Sequence, residues 1–362
     1  MKTDALIKKA LSQPRALEVA ELTELVSLTD EGAIREVRAA AYDLKCRHCG
    51  KVVSMRGLIE IGNVCAKDCL YCGIRKSNAS LSRYRLTADD IERMARVSAL
   101  QNYGSLVLQG GEIESEANTA FIEDCLRRIA PLNLGVTLSL GEQTEEVYRR
   151  WKEAGAARYL LRIETSNPLL YARLHPADHS WERRVECLRA LRRCGYQVGT
   201  GVMCALPGQT SEDLARDIVF FGDIDADMIG MGPYIPHPDT PLGRIAPPME
   251  NAERLRLGLN MIAATRLYLH DVNIAATTAL QALADNGREQ GVLAGANVMM
   301  PNVTDVGYRR SYQLYAGKPC LDENALACRG CLERRLALLG EKINYGQRGD
   351  SPHFHRRAPA ST

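Results

Sequence analysis

The chain has 362 residues, of which 46% are hydrophobic and 25% are charged, so it can bury a sizeable core within one large domain. Its 46 lysine and arginine residues nearly balance 44 acidic residues, giving a formal net charge of +2. Such a balance argues against general attraction to nucleic acid or to an anionic membrane, so we expect neither as a partner.

The first 28 residues carry charged side chains throughout. They contain neither a signal-type apolar core nor an apolar span of about 18 residues, which predicts a cytoplasmic location. Residues 3–45 follow an amphipathic helical pattern that is interrupted at Ser12-Gln13-Pro14 and resumes near Thr29-Asp30. We therefore expect a helical extension over residues 1–50, a main domain over 51–340 and a flexible polar tail over 341–362.

From residue 58 onward, short runs rich in Val, Ile, Leu and Met alternate with helical patterns. The predicted strands cover residues 58–64, 105–109, 136–140, 158–165, 197–205, 228–235, 272–279 and 296–300. Helical patterns between them include residues 88–101, 116–130, 143–154, 181–194 and 211–222. This alternation predicts an α/β protein with a complete (β/α)8 TIM-type barrel, the main alternative being a doubly wound open sheet. In a barrel, functional residues are expected just after each strand.

Eight of the 12 cysteines lie in three clusters, which are Cys46/Cys49, Cys65/Cys69/Cys72 and Cys320/Cys328/Cys331. Without a secretory signal, such clusters indicate metal or redox chemistry rather than disulfides. The other four, Cys125, Cys187, Cys194 and Cys204, lie in apolar or helical settings and are interpreted as packing residues.

The central cluster forms a C-x3-C-x2-C run directly after the first predicted strand. Structural zinc generally takes four protein ligands, whereas an iron–sulfur cluster uses closely spaced thiolates and can leave one iron without a protein ligand. Since no fourth cysteine or histidine lies within the run, Cys65, Cys69 and Cys72 favour an iron–sulfur cluster with one open iron. A zinc loop completed by a distant ligand is the alternative.

This run, with Tyr71 before its third cysteine, resembles the radical S-adenosylmethionine (SAM) enzymes. The resemblance implies a 4Fe-4S cluster on Cys65, Cys69 and Cys72. Its open iron is chelated by SAM, which an electron from the cluster cleaves to give a 5'-deoxyadenosyl radical. The segment Gln109-Gly110-Gly111-Glu112 is similar to the family's GGE element, in which backbone approaches the methionyl amine of SAM. Glycine permits such an approach because it lacks Cβ, although a tight strand-to-helix turn is the other interpretation.

Longer segments, among them RYRLTADDI, YLLRIETSNP, GMGPYIPHPDTPL and YQLYAGKPC, are similar to the HydE family of FeFe-hydrogenase maturases, over nearly all of residues 20–340. Members of this family are cytoplasmic proteins of anaerobes. The resemblance implies an iron–carbonyl–cyanide–cysteine precursor as substrate and a reductant protein such as ferredoxin or flavodoxin. It also implies contact with other hydrogenase maturation proteins.

The same resemblance assigns cofactor-binding residues. Tyr71 matches an aromatic residue whose backbone approaches adenine, while Glu164 and Arg184 match residues that hold the amino-acid or ribose groups of SAM. Pro207, in the loop after the fifth predicted strand, joins this set. A surface ion pair is the alternative interpretation of Arg184 and Glu164.

Residues of the predicted barrel interior form a second set. Thr137 and Ser139 share one face of the third strand, since side chains alternate along a strand, and the resemblance places them near an anion and substrate site. Arg162 and Tyr308 match cavity residues that bind a carboxylate, cyanide or phenol-bonded ligand, and with Glu164 they are our catalytic candidates beside the cluster. A buried arginine requires an anionic partner, because an unpaired buried charge is costly.

The C-terminal run Cys320, Cys328 and Cys331 is similar to a second, peripheral iron–sulfur site of many family members; a zinc or empty thiol site is the alternative. Cys46 and Cys49 also suggest a zinc site with Cys328 and Cys331. The predicted topology places the two pairs at opposite ends of the barrel, so we leave Cys46 and Cys49 unassigned.

Two further functions fit the motifs. Methylornithine synthase and biotin synthase share the barrel and the first cysteine motif, and they would imply an amino-acid-type substrate. A non-enzymatic iron–sulfur or metal scaffold, by contrast, would not cleave SAM and would not need Glu112 or Glu164.

Overall fold

The computed structural model describes residues 2–245, 247, 249–322 and 325–357, with only the backbone of 325–328. The helices, in chain order, are α1 (Lys2–Ser12), α2 (Val19–Ser27), α3 (Glu31–Cys49), α4 (Ala88–Leu100), α5 (Glu116–Ile129), α6 (Glu145–Glu153), α7 (Pro168–Leu174), α8 (Trp181–Arg193), α9 (Ser211–Asp223), α10 (Asn251–Leu269), α11 (Thr278–Leu283), α12 (Gly287–Leu293), α13 (Val306–Arg309), α14 (Ala325–Leu338) and α15 (Pro352–Arg357). The strands are β1 (Val52–Gly62), β2 (Ser105–Gly110), β3 (Gly135–Ser139), β4 (Ala156–Leu160), β5 (Gln197–Thr200), β6 (Met203–Cys204), β7 (Met228–Ile229), β8 (Gly232–Pro233), β9 (Asn273–Ile274), β10 (Val298–Met299) and β11 (Lys342–Ile343).

The protein has an α/β fold around a curled parallel sheet. Its strand order is β10-β1-β2-β3-β4-β5-β7-β9, and β11 pairs with the beginning of β1. A parallel bridge between Ala275 and Val298 links the two ends of this path, and the N–H of Ala276 donates to the carbonyl oxygen of Val298 at 2.9 Å. All carboxyl ends of these strands therefore face one side of the molecule.

Most residues of the strands from β1 to β10 are buried on both faces of the sheet, which accounts for their nearly continuous apolar sequences. Leu106, Val107 and Leu108 of β2, for example, are all buried although they alternate in direction. Helices following the strands begin at hydroxyl side chains that accept a hydrogen bond from the backbone N–H three residues later; these are Thr87, Ser115, Thr144, Ser180 and Thr210. Such N-caps end these five loops at a defined residue.

Two predicted strands are interrupted. The run predicted over 197–205 divides into β5 and β6, and that over 228–235 divides into β7 and β8. At this point the chains approach so closely that a Cβ on Gly201 would overlap the carbonyl oxygen of Gly230. Glycine is required there because only a residue without a side chain permits this backbone contact.

Residues 342–357 differ from the expected flexible tail. After β11, the chain passes beneath the amino ends of the strands, where Arg56 donates to the carbonyl oxygen of Gly349 at 3.1 Å and Arg158 pairs with Asp350. Both arginines are buried, so they need these oxygen partners. Residues 358–362 lie outside the described residues.

Across the described ranges, every helix is too short or too polar to span a lipid bilayer.

Candidate active site

The loop after β1 carries Cys65, Cys69 and Cys72 at the carboxyl end of the sheet. It is bound to the end of β2 on one side, because the N–H of Ala66 donates to the carbonyl oxygen of Glu112 at 2.8 Å. In return, the N–H of Glu112 donates to Cys65 Sγ at 3.3 Å. The loop conformation is thus set by contact with the neighbouring strand.

The three thiols influence one another. Burial raises the pKa of each, to about 12 for Cys69, and the proximity of Cys65 raises the pKa values of Cys69 and Cys72 further. Three adjacent thiolates are therefore unfavourable on their own and would be stabilised by a bound cation, with release of protons.

This donor set fits a cluster better than a single metal ion. Among the described residues, no three His, Cys, Asp or Glu side chains are placed to hold one ion together. In a 4Fe-4S cluster the thiolates bind different irons, so they need to be neighbours without converging on one point. The arrangement of Cys65, Cys69 and Cys72 is consistent with that requirement.

The glycines at the end of β2 allow the cysteine loop to approach. A Cβ on Gly111 would overlap the carbonyl oxygen of Val64 and would lie 2.8 Å from Cys65 Cβ. The preceding Gln109 donates through Nε2 to the hydroxyl of Tyr312 at 3.2 Å. Gly111 thus has a packing role beside the cysteines in addition to the ligand contact expected from the sequence.

A charged cluster surrounds Glu112. Its Oε2 accepts from the N–H of Glu142 at 2.8 Å, and its Oε1 lies 3.1 Å from Lys67 Nζ. Arg184 Nε donates to Glu142 Oε1 at 2.6 Å. Burial raises the pKa of Glu112, even though Arg184 and Lys67 oppose this shift. Burial alone would also raise the pKa of Glu142, but Arg184 and Lys67 outweigh it and lower this pKa.

Sequence reasoning found Glu112 and Arg184 but assigned no role to Glu142 or Lys67. Lys67 lies between two cysteines, and Glu142 lies in the loop after the third strand. Both positions could therefore have indicated a role in the site. Their pairing depends on loops that meet only in the folded sheet.

Glu164, just beyond β4, has a strained backbone. Its φ is 65°, in the left-handed region, and it is held there by hydrogen bonds to Gly201 and from Met203. Its Oε2 lies 2.9 Å from Arg162 Nη2, which also donates to the carbonyl oxygen of Val202 at 2.8 Å. The buried carboxylate therefore supplies the anionic partner that Arg162 was expected to need. Strain of this kind concentrates at functional sites.

Thr137 and Ser139 occupy different environments on β3. Thr137 is buried, lines an internal cavity with Arg56, Met228 and others, and its Oγ1 has no hydrogen-bond partner among the described residues. Ser139 is half-buried and aligns with Gln109 across the sheet. An unpaired buried hydroxyl is costly, so that of Thr137 is suited to receive a ligand or water.

Tyr71 lies in a small apolar cluster that includes Leu170 and Leu206, the residue before Pro207. The hydroxyl of Tyr71 is 3.5 Å from His175 Nε2, and His175 Nδ1 is 2.9 Å from the carbonyl oxygen of Tyr171. Burial lowers the pKa of His175 to about 3, so the ring is neutral. Sequence reasoning missed His175, because it follows helix α7 rather than a strand.

Tyr308, on α13, is separate from the charged cluster and packs against Tyr84 with ring centroids 5.0 Å apart. Cys320 and Cys331 are half-buried, and the carbonyl oxygen of Cys320 accepts from Arg309. The side chain of Cys328 lies outside the described residues. Cys46 and Cys49 end α3, immediately before β1 and far along the strand from the first cysteine loop.

The curled parallel sheet and the three-cysteine loop after its first strand define a radical SAM enzyme, and residues 59–221 match the model of the Radical SAM superfamily. Over 321 residues the chain is 44% identical to the [FeFe] hydrogenase maturase subunit HydE of Thermotoga maritima. The aligned region covers 89% of this chain and 90% of that relative. The chain therefore belongs to the HydE family of radical SAM enzymes.

More distant proteins are similar in sequence or in fold. A biotin synthase of Corynebacterium jeikeium is 25% identical over 300 residues, or 81% of each chain. The crystal structure of methylornithine synthase (PylB) aligns with a TM-score of 0.80 at 22% identity, covering 96% of this chain and 98% of that one. The maturase HydG of Carboxydothermus hydrogenoformans aligns with a TM-score of 0.79 at 18% identity, covering 95% and 79%.

Proposed function

We propose that this protein is a radical SAM enzyme of FeFe-hydrogenase maturation that acts on an iron–carbonyl–cyanide–cysteine precursor. The observation that carries the proposal is the loop of Cys65, Cys69 and Cys72, fastened to Glu112 at the end of β2, in a chain 44% identical to a HydE maturase. Neither feature alone has the same weight, because cysteine loops also bind zinc.

Cys65, Cys69 and Cys72 would hold a 4Fe-4S cluster that leaves one iron to SAM. When bound, the 4Fe-4S cluster and SAM together would supply reductive cleavage of SAM to a 5'-deoxyadenosyl radical. The protein's own contribution is placement and charge. Glu112 and Glu164 would offer buried carboxylates to a cofactor that carries a sulfonium and an ammonium group, and Arg184 would offer a cation to its carboxylate. Tyr71 and Pro207 complete the proposed cofactor side of the site, beside Gln109 and Gly110.

The substrate side is proposed to be the interior of the sheet. We infer that the sheet is a complete (β/α)8 barrel, an inference supported by the bridge between Ala275 and Val298. The hydroxyl of Thr137, which has no hydrogen-bond partner in the part of the chain that the structure describes, supports a polar ligand in this interior. Ser139, Arg162 and Tyr308 are proposed to contact the same ligand.

Other expectations stay predictions. They are a second iron–sulfur cluster on Cys320, Cys328 and Cys331, an electron donor such as ferredoxin or flavodoxin, contact with other maturation proteins, and a cytoplasmic location.

The test is anaerobic reconstitution with iron, sulfide, SAM and a strong reductant, followed by quantification of 5'-deoxyadenosine with and without the precursor. We expect the precursor to stimulate nucleoside formation and Cys69→Ala to abolish it. Cys194→Ala is the matched control, because that half-buried thiol follows α8, and its Sγ donates to the carbonyl oxygen of Glu145 at 3.7 Å.

Each alternative has its own outcome. Equal nucleoside formation with and without the precursor would retain the SAM chemistry and favour an amino-acid-type substrate. An intact cluster that yields no nucleoside would favour the non-enzymatic scaffold.

A further inference from the structure

Arg83 makes an unusual set of contacts at the end of the cysteine loop. Its guanidinium donates hydrogen bonds to five backbone carbonyl oxygens of this loop, those of Asn63 (2.6 Å), Ile74 (2.8 Å), Arg75 (2.6 Å), Lys76 (3.3 Å) and Asn78 (3.1 Å). None of the roles assigned above involves this residue.

The contacts tie together the two limbs of the loop. Asn63 precedes Cys65 by two positions, and residues 74–78 begin two positions after Cys72. Nη1 of Arg83 bridges both limbs, since it contacts Asn63 and Ile74 together. The segment that carries all three cysteines is thus closed by one planar group.

Asn63 reinforces the closure from the other side. Its Nδ2 donates to the carbonyl oxygen of Ser82 at 2.8 Å, and its Oδ1 accepts from the N–H of Tyr84 at 2.8 Å. Residues on each side of Arg83 are therefore held against the first limb. The guanidinium is directed into the loop as a result.

The charge of Arg83 is engaged by carbonyl groups rather than by a carboxylate. Arg75, in the same loop, pairs with Asp68 at 2.6 Å, whereas no carboxylate pairs with Arg83 in the part of the chain that the structure describes. The five carbonyl oxygens are the negative ends of their dipoles, so they repel one another where they converge unless a cation lies between them. A guanidinium, with donors arranged in a rigid fork, meets this geometry, and a lysine ammonium has only three donors at one point.

We propose that Arg83 is the positioning residue of the cysteine loop, which it holds in the cluster-binding conformation before any cluster is present. The proposal rests on the proposed function insofar as the loop binds a cluster. It assigns Arg83 no contact with the cluster, SAM or substrate.

The test begins with cluster-free protein under reducing, anaerobic conditions. Alkylation of each cysteine by iodoacetamide is followed over time by peptide mass spectrometry in wild type, Arg83→Met and Arg83→Lys. We expect alkylation of Cys65, Cys69 and Cys72 to accelerate about tenfold in Arg83→Met, the ratio that corresponds to one net hydrogen bond to a charged group. Arg83→Lys should behave more like the methionine variant than like wild type, because one ammonium with three donors cannot satisfy the five carbonyl oxygens that the two guanidinium nitrogens contact.

Two internal references make the result specific. Arg85→Gln is the matched variant, since Arg85 is exposed and its guanidinium contacts Asn118 rather than the loop; it should alkylate like wild type at Cys65, Cys69 and Cys72. Buried Cys125 on α5 reports opening of the whole fold, and its rate should not change. Equal acceleration at Cys125 would mean that Arg83 stabilises the fold rather than the loop, which would overturn the proposal.

Iron and sulfide content after reconstitution provides the second readout. We expect less of both in the two Arg83 variants than in wild type and Arg85→Gln. Wild-type alkylation rates and wild-type iron content in Arg83→Met would overturn the proposal. A wild-type protein that loads a cluster but forms no 5'-deoxyadenosine would instead overturn the proposed function and leave the role of Arg83 intact.

Discussion

Replacing Glu142 with glutamine removes one charge beside the cysteine loop and leaves the side chain nearly the same shape. The Glu142 carboxylate lies 2.6 Å from Arg184, 3.2 Å from Arg183 and 3.6 Å from Lys67. Three carboxylates, those of Glu112, Glu114 and Glu142, oppose these three cations. The substitution therefore leaves this group of charged side chains with an excess positive charge.

The expected cost follows from burial. The side chains of Arg184 and Glu142 are only 9% and 3% exposed, and removing one partner of a buried pair costs about 3–5 kcal/mol. Because glutamine still offers an oxygen to Arg184 Nε, we expect a cost at the lower end of this range. The free energy of unfolding near pH 7 should fall by about 3 kcal/mol.

The pH dependence has a defined sign. The cations lower the folded-state pKa of Glu142 below its ordinary value of 4.5. Its stabilising effect is therefore fully present above the unfolded-state pKa and is lost as the pH falls through the folded-state pKa. The difference in stability between wild type and Glu142→Gln should narrow as the pH falls below 4.5.

Urea unfolding of the cluster-free protein, followed by the fluorescence of buried Trp151, measures this difference. Glu114→Gln is the matched control, because Glu114 also pairs with Arg183 but its side chain is 40% exposed; we expect a loss of at most about 1 kcal/mol. The reasoning is refuted if Glu142→Gln loses no more stability than Glu114→Gln, or if its loss is the same at low pH as at pH 7.

Three further predictions concern other parts of the chain. Gly111→Ala should cost about 1–3 kcal/mol by overpacking against the cysteine loop; iron content after reconstitution should fall, and unchanged loading would contradict the packing argument. Glu341→Gln leaves Lys45 buried without a counter-charge and should lower the unfolding free energy by about 3–5 kcal/mol, whereas Lys45→Met combined with Glu341→Leu should lie closer to wild type in urea unfolding. Equal losses in both would refute the buried-charge explanation. Hydrogen bonding, chiefly to Asp225, raises the pKa of His353 to about 9, so its stabilising effect is present below the unfolded-state value of 6.5 and is lost as the pH rises to about 9. A series of melting temperatures should show this decline in wild type, and His353→Gln should remove it; the same decline in the variant would assign it to another group.

Local patterns in the sequence determined much of the fold. Predicted helices at 88–101, 116–130, 181–194 and 211–222 correspond closely to α4, α5, α8 and α9, because periodicity and N-caps are properties of neighbouring residues. The spacing of Cys65, Cys69 and Cys72 after the first strand is equally local, and it was sufficient to indicate the radical SAM enzymes, whereas the narrower HydE family was indicated by longer segments.

Tertiary structure decided which loops meet and which charges pair. Lys67 and Glu142 are 75 residues apart, and only the alignment of parallel strand ends places them on either side of Glu112. Arg83 opens the RYRLTADDI segment, but that segment did not reveal its contacts, since its partners are backbone carbonyl oxygens, which every sequence contains. Likewise, Asp350 finds buried Arg158 only because the chain returns beneath the sheet after α14. Neighbouring side chains in the sequence specify local geometry. Long-range partners, in contrast, meet only when the elements pack together, and they pair because leaving a buried charge or dipole unpaired is costly.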